Sequence, residues 1–187
     1  MAARSWILLS SRLPREPSRL RLGVWRRLKR LGAILIHDAV WVLPADAKNR
    51  EAFEWLAEEI EEQGGTAWVW EAVDLSPAQD REAVERFRQD ADARYAEIGA
   101  SARAIRDAAL GGRRRGQRAR PLSPASRAHA IRQLRGLERA LKLERRRDYF
   151  RAAGGSAAGA LVSAAIAELE SERPTPRSEG ARRALGD

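Results

Sequence analysis

The sequence predicts an α+β chain, a ferredoxin-like βαββαβ domain over residues 1–75 followed by a helical, hairpin-like extension over residues 76–170. Two observations predict it. Short aromatic or β-branched runs alternate with amphipathic helical stretches up to Val73, whereas after Pro77 only helical periodicity remains. Gly32, Pro44, Gly64-Gly65 and Gly111-Gly112 fall between these segments, as punctuation should.

Ser5 to Leu9 reads as the first strand, apolar on both parities as a strand covered on both faces must be. Ser18 stands in N-cap position before Leu20, Val24, Leu28 and Leu31, and Gly32 supplies the stop, so a helix is expected from about Arg19 to Leu31. Ala33 to Ile36 and Val40 to Leu43 are two short strand-like runs around His37, Asp38 and Ala39, a hairpin closed by Pro44. Asp46 caps a second helix with Phe53, Leu56 and Ile60 on its apolar face, and Gly64-Gly65 ends it. Thr66 to Val73 is the last strand. The order β-α-β-β-α-β is the split βαβ arrangement, in which both helices cover one face of an antiparallel sheet.

Pro77 opens a long helix in which Val84, Phe87, Ala91, Tyr95, Ile98, Ala102, Ile105 and Ala109 recur at steps of three and four, a seam that needs a partner helix. Ser123-Pro124 is an N-cap with proline at the first helical position, and Ile131, Leu134, Leu137 and Leu141 form the matching stripe. An Ala-rich helix is expected from about Ser156 to Leu169, and residues 171–187 read as a disordered tail.

The chain has no cysteine, which removes disulfides, thiolate chemistry and sulfur-ligated metals. Trp6 to Leu9 is too short for a secretory signal and Gly159 to Ala167 too short to span a membrane, so the expectation is a cytoplasmic protein without a membrane partner. The net charge of +9 is segregated: +7 over residues 1–44, −8 over 45–110, +11 over 111–151 and −1 beyond. Blocks of one sign create local fields that attract polyanions.

No catalytic, metal or cofactor site is expected. His37-Asp38 reads as a hairpin turn, since further ligands for a metal are lacking and the other histidine, His129, is remote. Ferredoxin-like nucleases place a metal-binding aspartate at the end of the first strand, where this chain has Ser10-Ser11. Trp6, Trp41, Trp68 and Trp70 lie on strands, where such rings either stack on bases or pack against a partner or the helical extension; packing is the reading taken. The basic residues are the clearest functional signal. Arg19, Arg26, Arg27, Lys29 and Arg30 surround the first helix's apolar stripe, and Arg113, Arg114, Arg115, Arg118 and Arg120 cluster without an intervening acid. Both groups are expected to contact nucleic-acid phosphates and base edges, for which arginine's planar fork is suited.

The run Pro17-Ser18, Leu20-Arg21, Val24 to Leu28, Leu31-Gly32-Ala33, Val40 to Pro44, Phe53 to Leu56 and Glu59-Ile60 to Gly64-Gly65 resembles the amino-terminal domain of the ChrB chromate-resistance regulators. The likeness continues through Arg147-Asp148-Tyr149-Phe150 to about residue 170, and the central block is similar, more distantly, to PaaX-type repressors. What the resemblance implies is a dimeric, DNA-binding bacterial transcription regulator. Longer ChrB proteins carry a second, carboxy-terminal domain associated with the chromate response; this chain ends before one, so a separately encoded domain of that type is an expected partner. The alternative is a non-catalytic interaction or oligomerisation module in which the arginines only solubilise.

Overall fold

The computed structural model describes residues 4–14, 16, 18–73, 76–110 and 122–171. The arginine cluster at 113–120 and the tail expected at 171–187 therefore lie outside the described residues, except for Ser171. The elements are β1 (Ser5–Arg12), α1 (Ser18–Leu31), β2 (Ile34–His37), β3 (Val40–Pro44), α2 (Ala47–Glu62), β4 (Thr66–Val73), α3 (Pro77–Leu110), α4 (Pro124–Arg147) and α5 (Gly154–Ser171). The four strands form one antiparallel sheet in the order β2-β3-β1-β4, the topology expected of a ferredoxin-like domain.

Local signals account for the element ends. Asp46 accepts the Asn49 N–H at 2.7 Å, and Ser123 accepts the Ser126 N–H at 3.1 Å, each an N-cap where the sequence places one. Gly32 adopts φ +79°, and the Gly32 and Ala33 N–H groups return to the Lys29 and Leu28 carbonyls, which closes α1 in a Schellman motif. β1 runs three residues beyond Leu9. Ser10, Ser11 and Arg12 break the apolar run, yet they pair with Trp68, Ala67 and Thr66 because β4 continues beside them.

The two faces of the sheet have different covers. Ile7, Leu9 and Leu43 are buried on the face under α1 and α2, against Leu28, Phe53, Leu56 and Ile60. The register of β1 with β3 sets Trp41 opposite Leu9, so Trp41 belongs to this face too. Trp6, Leu8 and Val42 point to the other face, which the first turns of α3 cover. There Phe87 stacks on Trp6 with ring centroids 5.8 Å apart and planes 6° from parallel. Phe150, from the link between α4 and α5, packs on Phe87 at 5.3 Å.

The extension has three packed helices rather than the two of the expected hairpin: α3 packs against both α4 and α5, and α4 against α5. Its core is Ala102, Ala130, Leu134, Val162, Ala165 and Leu169. α5 enters through Gly155, Ala158, Val162, Ala165 and Leu169, a buried seam at steps of three and four. Its side chains are small, so the helices approach closely: a Cβ on Gly99 of α3 would stand 3.0 Å from Leu161. α3 is shared between the two cores, with Ala83 and Phe87 in that of the sheet and Ala102 in that of the bundle.

Candidate nucleic-acid interface

The basic residues of α1 divide by their surroundings. Arg27 pairs with Glu59 of α2, and Lys29 donates to Asp90 of α3 at 3.3 Å. Both are held by the protein's own acids, as the alternation of charge along the chain allows. Arg19, Arg26 and Arg30 are exposed, and with Gly23 they follow one line at steps of four and three. None of these three has an ion-pair partner among the described residues.

A second basic row lies on α4, and none of its members stands among the residues singled out from the sequence. Arg132, Arg135, Arg139, Lys142 and Arg146 are exposed and recur at steps of three and four. Ala130, Leu134, Leu141 and Glu144, at the complementary positions, are buried. The row therefore occupies the side of the helix opposite its packed side. Arg135 lies 3.6 Å from Glu170, both exposed, a contact worth little at a solvated surface. The sequence signal is the spacing of the cations, which becomes meaningful once the apolar stripe shows which side is free.

The carboxy-terminal ends of α1 and α4 are joined by Arg147, the last residue of α4, and by Tyr149 of the link to α5. Arg147 donates to the Lys29 carbonyl at 2.9 Å, and the Tyr149 hydroxyl donates to the Leu31 carbonyl at 2.8 Å. These carbonyls belong to the last turn of α1, which the helix itself leaves open. Asn49 Oδ1, 3.1 Å away, shares the same single proton, and burial, helped by the charge of Asp46, pushes the hydroxyl up to about 12.

Beneath this junction lies a charged chain. Glu144 is 1% exposed; its Oε1 accepts from Arg94 Nε at 2.6 Å and its Oε2 from Arg147 Nε at 2.7 Å. Arg94 also pairs with Asp90, the partner of Lys29. The sequence Lys29, Asp90, Arg94, Glu144, Arg147 thus crosses α1, α3 and α4 with alternating sign. It ties together the helices that carry the two basic rows.

A family described as the amino-terminal domain of protein ChrB matches residues 21–172. The chain belongs to the ChrB amino-terminal family. A relative named protein ChrB, from Cupriavidus metallidurans, is 31% identical over 94 residues, which is 50% of this chain and 28% of that protein. The chain thus matches under a third of the ChrB relative's length. No solved structure matches it. The family match includes α1 from Arg21, all of α4 and the Arg147-Asp148-Tyr149-Phe150 link, so both basic rows lie within the ChrB domain except for Arg19.

The tryptophans expected to form one packing surface are divided. Trp41 is buried on the α1 and α2 face, whereas Trp6, Trp68 and Trp70 share the other. Trp6 is buried against Phe87, but Trp68 and Trp70 are 64% and 47% exposed, their rings stacked at 6.1 Å. Beside them Trp6, Leu8, Val42 and Ala72 floor a cleft of about 280 Å³, with His37 and Arg86 at its edge. Among the described residues no three His, Asp or Glu side chains converge as metal ligands, and no helix is long and apolar enough to cross a membrane.

Proposed function

We propose that this chain is a transcription regulator of the chromate-resistance type that binds duplex DNA through the α4 row, Arg132, Arg135, Arg139, Lys142 and Arg146, assisted by Arg19, Arg26 and Arg30 of α1. The observation that carries the reading is the α4 row. Five cations stand on the free side of a helix whose other side is buried. At 1.5 Å rise per residue the row spans about 21 Å, a length along which a DNA strand carries roughly six phosphates. Four of the five are arginines, whose forks hold phosphate oxygens in two-point contacts. Arg113, Arg114, Arg115, Arg118 and Arg120 precede α4 in sequence and carry the same charge.

Membership in the ChrB family supports the regulatory role and its link to chromate; a catalytic role has no such support. A homodimer is proposed for the bound form, as is cooperation with a ChrB carboxy-terminal-type domain. Fluorescence anisotropy of a duplex from the gene's own upstream region tests the reading. If about five phosphates are neutralised, log affinity falls with log salt at a slope of roughly −4 to −5. A duplex that shows no complex even at low salt overturns the proposal and favours an interaction module in which the arginines only solubilise.

A further inference from the structure

We propose that the open edge of β4 is where two copies of this chain pair, strand to strand about a two-fold axis. The two edges of the sheet differ. β2 has four residues and a register irregularity between Leu35 and His37, devices that discourage added strands. β4 has eight residues paired regularly with β1 from Thr66 to Val73, and among the described residues no strand lies on its outer side. It contains no proline, lysine or arginine, and its one acid, Glu71, is paired with Arg50. About half of its backbone N–H and C=O groups therefore point outward as a template for another strand.

The exposed side chains favour a second copy as the occupant. An antiparallel pairing of β4 with itself is self-complementary, as a two-fold interface must be. Centred on Val69, it sets Trp68 opposite Trp70 of the other copy, joins four indoles on one face, and places Glu71 opposite Ala67 rather than against its own equivalent. An eight-residue strand edge with two half-exposed tryptophans on each copy buries roughly 1,000 Å² in total, the area a specific contact must reach. Glu54 of α2 lines a groove with Glu71 of this strand. Like charges there oppose pairing, so screening them strengthens it.

Light scattering on the full chain tests the inference. The mass is expected to rise with concentration from 20.8 kDa toward twice that value, with dimer as abundant or more so when salt is raised to about 0.5 M. The double substitution Trp68→Lys/Trp70→Lys should hold the mass at that of one chain with an unchanged far-ultraviolet spectrum. Because the chain has no cysteine, Val69→Cys gives an independent reading: oxidation should yield a covalent dimer, whereas Leu35→Cys on the β2 edge should not. A monomer at every concentration, a dimer that dissolves as salt rises, a dimer that survives the double substitution, or equal crosslinking from both edges would each overturn it. So would quenching of tryptophan emission by a single-stranded oligonucleotide in a protein that stays monomeric. Replacing Arg132, Arg135 and Arg139 by alanine should leave the mass unchanged, so failure of this inference is distinct from failure of DNA binding.

Discussion

The Tyr149 hydroxyl reaches the Leu31 carbonyl at 2.8 Å across 118 positions of sequence. With Arg147 on the Lys29 carbonyl, it closes the open end of α1. Tyr149→Phe keeps the ring and removes the donor, leaving a buried carbonyl unsatisfied. The expected loss is about 1–3 kcal/mol in urea unfolding. An unchanged midpoint would mean that water replaces the phenol.

Alkaline pH should weaken the fold. Burial raises Tyr149 and Tyr95 from 10.0 to about 12, seconded by Asp46 for the first and Asp148 for the second. The unfolded chain thus releases these protons at lower pH than the folded one. Their contribution is complete below about pH 10 and is lost as pH climbs toward 12. Unfolding midpoints measured from pH 8 upward should decline over that window, and less steeply in Tyr149→Phe.

Glu144 has two arginines and no route to solvent. Glu144→Ala leaves Arg147 without its acid and Arg94 with Asp90 alone, and should cost about 3–5 kcal/mol. Glu144→Leu/Arg94→Leu/Arg147→Met, which removes the whole cluster, should recover much of that loss in thermal unfolding. A single alanine change without effect would show that water reaches the site.

Each phosphate contact on α4 should be countable. Arg132→Ala, Arg139→Ala and Arg146→Ala should each reduce the steepness of the salt dependence by about 0.9 in a log-log plot and weaken binding to all duplexes alike. Arg27→Ala is the comparison: its guanidinium is paired with Glu59, so its removal should change the slope little. An equal effect from Arg27→Ala would extend the contact to that residue of α1 as well.

Gly32 is the position where backbone and packing agree most narrowly. At φ +79° a side chain is strained, and a Cβ would stand 3.0 Å from Arg147 Cβ. Gly32→Ala should cost more than about 1 kcal/mol. Because the clash is with the link that joins the rows, the same variant should also lose DNA affinity.

Much of the fold was readable because its signals are local. Asp46, Ser123-Pro124 and Gly32 mark helix ends by chemistry that acts within four residues, and β4 is bounded by a glycine pair and its own branched and aromatic run. What escaped depends on partners distant in sequence. Ser10 to Arg12 join β1 only because β4 lies alongside, and α5 completes the bundle through alanine and glycine, whose small side chains give little apolar signal. At the interface, the cations of α1 were visible as residues but not as engaged or open, a distinction that Glu59 and Asp90 make from other helices. Arg147-Asp148-Tyr149-Phe150 was legible as a family likeness. Its work at the end of α1 required the tertiary structure.

All six tryptophans fall between Trp6 and Trp70, in or beside the sheet, whereas the bundle built by α4 and α5 has none. Emission from the two buried indoles, Trp6 and Trp41, is therefore a natural reporter of one core alone, and helical ellipticity is weighted toward the other. Since α3 threads both, the two signals should move together during unfolding. Their separation in any variant would reveal the molecule coming apart at its shared helix, without a label having been added.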